Sequence, residues 1–215
     1  MRQQPLNVPV LRQSRTLPYC GHTCARMVLA HHGYGTSRSI ARSIIRFSNG
    51  RPIESEEIGS VLLSYGLNVE IYNWHHGLPN RFAELRRQHV INTEMLSWCR
   101  REVVSGWDKE RRRATANFIE HGGIFIPSPI SIARLKAAVR NNCPPILQVN
   151  VSTLYFCRAK QRQHYLVVRH ISDCAVQVND PNPYGDARCS YPTSHMIFAM
   201  HSMHGAAIIA SPKQR

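Results

Sequence analysis

The spacing of apolar residues along this chain turns from mostly helical to mostly strand-like near residue 145, and that change restricts the folds open to it. Before it, they recur three and four apart, as the buried stripe of a helix requires. The run 20–32 (CGHTCARMVLAHH) places Cys24, Met27, Val28 and Ala30 or His31 at that spacing, and Gly33 supplies a stop. The same spacing predicts a helix over 37–47, with Ile40, Ile44 and Ile45 on one face. Another is predicted over 54–65, opened by Glu54 or Ser55 and closed by Gly66. A strand follows at 67–74, then two helices within 80–121 broken near Ser105 and Gly106. Pro127 and Pro129 mark a turn, and 131–141 reads as an amphipathic helix. Beyond it, 146–151, 165–171, 175–179 and 206–210 are short, β-branched and partly alternating, with Ser172 and Asp173 as a tight hairpin turn. A helical N-terminal half followed by an antiparallel C-terminal sheet is an α+β arrangement.

A chain of 215 residues fits one domain, 1–215, with 80–125 as an Arg-rich helical insertion or lid. Its 43% apolar and 19% charged content is that of a folded globular protein. No stretch approaches the length of an apolar membrane span, and the first nine residues (MRQQPLNVP) are too polar for a secretory signal. Seven cysteines, an odd number without compact disulfide spacing, favour a reducing compartment. The expected location is therefore the cytoplasm, or outside it by a secretion route that needs no signal.

The formal charge is +14, and only Lys109, Lys136, Lys160 and Lys213 among the 27 basic residues are not arginine. An Arg-rich coding background and a surface built for anions both explain that skew. The run 109–113 (KERRR) is either a solvated helix face or an exosite for an acidic substrate. Nucleic acid is disfavoured as a partner, because aromatic residues are not interleaved with the basic ones. Scarce lysine also suits a bacterial effector or toxin that escapes lysine-directed tagging in a eukaryotic host.

Reaction chemistry points elsewhere, to three nearly neutral segments. Cys20 sits at the start of the first helix, where unpaired N–H groups and the dipole favour an anionic sulfur. Such a thiol becomes a working nucleophile when a histidine reaches it and a third group orients that histidine. His164 opens one predicted strand and Asp180 closes the next (AVQVNDP), so a hairpin brings Asp180 or Asn179 beside the His164 ring. The remaining candidates for metal chemistry, Cys20, Cys24, His31 and His32, lack the paired Cys-x-x-Cys spacing of zinc sites, and no metal or cofactor is expected. Cys24 reads as core packing.

The order Cys, His, Asp resembles the papain-like cysteine peptidases, and more closely the branch that processes double-glycine leader peptides of bacteriocins. Cys20, Gly21, Cys24, Met27 and Leu29 match its nucleophile run, His164, Tyr165, Val167 and Val168 its base run, and Asn179, Asp180 and Pro181 its acid run. The helix at 131–141 leading through Pro144 and Pro145 to Ile146 is similar too. The resemblance implies a papain-like fold, with the nucleophile helix packed on the sheet. It further implies hydrolysis of a peptide bond through an acyl-thioester on Cys20, with His164 as base and Asp180 as its orienting group. Gln13 matches the family's oxyanion glutamine, although the six residues between it and Cys20 are one more than is common. His22 and Thr23 depart from the family's Pro and Ala, and the family's fused membrane transporter has no counterpart here. Relatives with the same thioester step include deamidases, transglutaminases and acyltransferases, so a protein substrate modified rather than cut is the alternative. A third reading is an Arg-rich binding module on an inactive peptidase scaffold.

Overall fold

The computed structural model describes residues 4–74, 82, 88–101, 106–157 and 162–213. The pair His75 and His76, Lys160 and the helix break at Ser105 lie outside the described residues, as does part of the 80–125 segment.

The N-terminal half opens with three helices, α1 (Cys20–His31), α2 (Arg38–Phe47) and α3 (Ser55–Ser64). Their ends obey local chemistry. The Ser37 side chain accepts from the Ile40 N–H to start α2, and Glu54 and Glu57 form a reciprocal capping box on α3. Gly33 and Gly66, at φ 90° and 82°, take the left-handed conformation that lets the chain leave α1 and α3. β1 (Leu67–Tyr72) follows, then α4 (Gln88–Arg100), α5 (Gly106–Glu120) and β2 (Ile124–Ile126). α6 (Ile132–Arg140), capped by Ser131, leads into β3 (Ile146–Asn150) and the single turn α7 (Val151–Leu154). β4 (Gln163–Ile171), β5 (Ala175–Asn179), β6 (Arg188–Pro192), α8 (Thr193–His201) and β7 (Ala207–Pro212) complete the chain.

Seven strands form one sheet in the order β2-β1-β7-β3-β4-β5-β6. Only β1 and β2 run parallel; every other neighbouring pair is antiparallel. The α+β class holds, and the N-terminal half supplies two strands of the sheet as well as helices. Each face carries its own core. Tyr165, Val167, Ile208 and Ala210 face the helices α1 to α3, while Leu166, Val168, Ala207 and Ile209 face α6 and α8. Central strands buried on both faces explain why 165–168 reads as an unbroken apolar run rather than an alternation.

Several local details differ from the sequence reading. The hairpin between β4 and β5 turns on Asp173 and Cys174, flanked by a Ser172 N–H bond to the Ala175 carbonyl at 2.9 Å. β2, α7, β6 and α8 carry too few periodic residues to have been predicted. Among the described residues, no helix is long and apolar enough to cross a membrane.

α4 and α5 pack on each other, on α3 and on β2, at the opposite end of the sheet from β4 to β6. Their apolar faces enter the core through Met95 and Phe118. Of the basic run on α5, Lys109 and Arg113 are exposed, whereas Arg111 pairs with buried Glu56 at 3.7 Å and Arg112 lies 4.0 Å from the Trp98 ring centroid. Half of that run is therefore spent inside the protein.

Candidate active site

Cys20 is the first residue of α1 and is half-buried, at the open N-terminal end of a helix whose next five residues are all buried or nearly so. Close approach of α1 to β4 depends on Gly21. A Cβ there would lie 2.6 Å from Ile53 Cγ2 and 3.2 Å from the Tyr165 ring. Gly21 is inside the helix, so its value is this proximity and not a turn. Tyr165 is fixed beneath it by hydrogen bonds with Ser55 Oγ at 3.2 Å and Gln148 Nε2 at 3.1 Å. With Tyr165 locked on one side of β4, its neighbour His164 is carried to the strand end beside Cys20.

His164 is 6% exposed, and its Nε2 meets Asp180 Oδ1 at 2.8 Å. That leaves Nδ1 as the ring atom available to the Cys20 sulfur, with which the ring interacts. Burial alone lowers the His164 pKa, but the bonds to Asp180 and Cys20 and their charges outweigh it and push it up to about 9. Asp180 is as deeply buried. Burial raises its pKa, yet the His164, Tyr155 and Asn182 hydrogen bonds hold it below the usual carboxylate value. Oδ1 also accepts the Asn182 N–H at 2.8 Å, and Oδ2 accepts the Tyr155 hydroxyl at 2.6 Å. Burial and the adjacent Asp180 charge push the Tyr155 hydroxyl pKa upward, so it stays a donor.

The structure thus brings Cys20, His164 and Asp180 into one line. Asn179, the other sequence candidate for the orienting group, is turned away: its amide donates to the carbonyls of Val8 at 3.0 Å and Pro9 at 3.2 Å. Those bonds, with the Leu6 N–H to Arg169 carbonyl bond at 2.8 Å, strap the N-terminal segment along β4 and β5. The strap carries Gln13 alongside the acid, its N–H donating to the Pro181 carbonyl at 2.9 Å. Gln13 Oε1 is buried without a partner, and among the described residues no hydrogen bond joins its amide to Cys20.

Tyr155 and Asn182 escaped the sequence reading. Asn182 had a signal, since an Asp side chain that binds the N–H two residues on is the ordinary Asx turn of an Asp-Pro-Asn run. Tyr155 had none, being 25 residues from Asp180 and just past a one-turn helix. His22, the polar departure after Cys-Gly, is buried with Nε2 2.7 Å from Ser48 Oγ, and desolvation lowers its pKa to about 4. It is a neutral packing group. Burial, then the Cys20 and Asp180 charges, raises the Cys24 thiol pKa well above its ordinary value, in keeping with core packing. Among the described residues, no three His, Cys, Asp or Glu side chains cluster as metal ligands would.

The fold defines the class of protein to which this arrangement belongs. Over 96% of its length the chain superposes on the whole peptidase domain of Streptococcus ComA, a bifunctional ABC transporter of a quorum-sensing pathway, with a TM-score of 0.51 and 13% identity. The chain therefore has the papain-like α+β fold of that peptidase domain. Two more solved structures align with it: a double-glycine motif protease from an AMS/PCAT transporter in complex with the leader peptide (TM-score 0.49, 14% identity, 98% of this chain and 96% of that one), and a C39-like peptidase from Bacillus anthracis (0.46, 12%, 99% and 100%). No protein-family model and no curated protein sequence matches the chain.

Proposed function

We propose that this chain is a papain-like cysteine peptidase, a single catalytic domain over 1–215 in which 80–125 is an insertion. The observation that carries the reading is the run of hydrogen bonds from Tyr155 through Asp180 to a buried His164 whose ring interacts with the half-buried Cys20 thiol. In this reading the Cys20 thiolate adds to a peptide carbonyl carbon, and the oxyanion takes hydrogen bonds from the Cys20 N–H and the Gln13 amide. The C–N bond breaks as the His164 imidazolium gives its proton to the leaving amine, leaving a thioester on Cys20. Neutral His164 then takes a proton from water, whose oxygen attacks the thioester. The acid is released and the thiolate and imidazolium are restored. Asp180 keeps its charge throughout and holds the ring in position.

The substrate in this reading is a protein or peptide. The test is to add wild-type protein to a complex proteome and read new N-termini by mass spectrometry, with Cys20→Ala as control. New N-termini seen only with the wild type support peptidase action. Intact targets that gain about one dalton, or an added group, would assign the same thioester to deamidation or acyl transfer instead.

A further inference from the structure

The two margins of the sheet are finished differently. At the β2 margin, Gln88 and Asn92, one turn apart on α4, donate to the outward carbonyls of Phe125 at 2.8 Å and Gly123 at 3.3 Å. That edge is closed by side chains, as edges in stable proteins usually are.

The β6 margin is not. In an antiparallel pair, bonded and non-bonded residue pairs alternate. The Asp180 N–H to Ala187 carbonyl bond and the Thr193 N–H to Cys174 carbonyl bond fix that alternation for β5 and β6. Cys189 and Tyr191 consequently bond inward to Val178 and Val176, and the main-chain groups of Arg188, Ser190 and Pro192 point away from the sheet. β6 is the last strand of the sheet, so among the described residues no strand pairs with the outward groups of Arg188 and Ser190, and the side chains of Arg188, Ser190 and Pro192 are exposed. Arg188 and Ser190 each present an N–H and a C=O; Pro192 has no N–H, serves as the N-cap of α8 and ends the ladder.

We propose that the free edge of β6 binds an extended acidic peptide segment by strand addition. Main-chain bonds to Arg188 and Ser190 supply the register, and the Arg188 side chain sets the preference for a carboxylate directly across from it. Basic groups crowd this corner. Arg169 on β4 has its pKa lowered by burial and by the Arg188 charge. Arg12 caps the β5–β6 turn through the carbonyls of Asn182 and Gly185. Asp186 in that turn is the opposing charge. A second copy of a chain bearing +14 would bring the same arginines to the edge, which favours an acidic peptide over self-pairing.

The test uses the Cys20→Ala protein, so that cutting plays no part and the outcome is independent of the proposed catalysis. Two blocked peptides are titrated, acetyl-Thr-Val-Thr-Val-Glu-Val-amide and its Lys-for-Glu twin, up to about 1 mM, with amide hydrogen exchange as the readout. In the free protein, the amides of Arg188 and Ser190 exchange fast while those of Cys189 and Tyr191 are protected. The acidic peptide slows Arg188 and Ser190 at least tenfold, and the twin does not. Arg188→Glu reverses the preference between the two. Ser190→Pro abolishes binding while Cys189 and Tyr191 stay protected, because the N–H it removes points outward. Four results overturn the proposal: protection of Arg188 and Ser190 in the free protein at every concentration, protection that rises with protein concentration alone, no binding of either peptide, or binding unchanged in Ser190→Pro.

Discussion

Among the described residues, the carboxylates of Asp180 and Glu56 are the most deeply buried, at opposite ends of the sheet, and they are treated differently. Asp180 has a donor for each oxygen, from His164 and Asn182 on Oδ1 and from Tyr155 on Oδ2. Glu56, on α3, has Asn73 at 3.4 Å and Arg111 at 3.7 Å on Oε1, and Oε2 has no partner. From Asp180 the bonds continue through an imidazole to a thiol that reaches the surface. From Glu56 they lead to a guanidinium on α5 that is itself mostly buried. A buried acid joins a reactive site only when its hydrogen bonds lead out to a nucleophile; otherwise it ties elements together. Glu56 fastens α5 to α3, and the basic run of α5 owes two of its arginines to packing.

The comparison breaks most visibly if the two ends respond alike to losing a partner. His164→Ala is expected to lower kcat/KM by about 10³-fold or more, near 4 kcal/mol of barrier, with little loss of stability. Arg111→Met is expected to do the reverse. It leaves Glu56 charged without its cation and costs about 2 to 4 kcal/mol of unfolding free energy, while kcat/KM per folded molecule stays within about twofold. Urea denaturation and steady-state kinetics on both variants check this pair.

A pH profile sharpens the same contrast. The His164 pKa is raised from 6.5 to about 9, so the charged form contributes stability in full below 6.5, and that contribution is lost as pH rises through about 9. Activity is expected to decline over that alkaline range. Asp180→Asn removes one of the partners that favour imidazolium, so the alkaline limb moves to lower pH and kcat falls roughly tenfold or more. In Arg111→Met the limb stays in place. Tyr155→Phe gives the smallest change. One of the three donors to Asp180 goes, which costs about 1 kcal/mol, and the alkaline limb shifts upward because a less satisfied carboxylate pulls harder on the His164 proton.

How far the sequence announced each end follows from range. Cys20 with Gly21, His164 with Tyr165, and Asp180 with Pro181 are local pairs whose chemistry and backbone needs are written side by side, so their meeting was legible. A two-residue turn between β4 and β5 then leaves little freedom for where Asp180 can go. Tyr155 was not legible, since a tyrosine at the end of a single helical turn carries no periodicity and its partner is set by tertiary packing alone. The Glu56 and Arg111 pair was equally hidden. Within 109–113 every basic residue looks alike, and only the packing of α5 against α3 decides that Arg111 turns inward while Arg113 stays in solvent. The need for Gly21 was hidden as well, because close approach by Ile53 and Tyr165 is a long-range demand.

The account stands or falls on whether Cys20 reacts because of where it sits rather than how exposed it is. Cys157 and Cys174 are exposed and Cys20 is half-buried, so the thiols rank differently by access and by activation. Brief treatment with substoichiometric iodoacetamide at pH 6.5, followed by mass-spectrometric mapping, ranks them directly. The account predicts that Cys20 is alkylated at least tenfold faster than Cys157 or Cys174, and that His164→Ala removes this lead. Labelling of Cys157 and Cys174 ahead of Cys20 in the wild-type protein would contradict it.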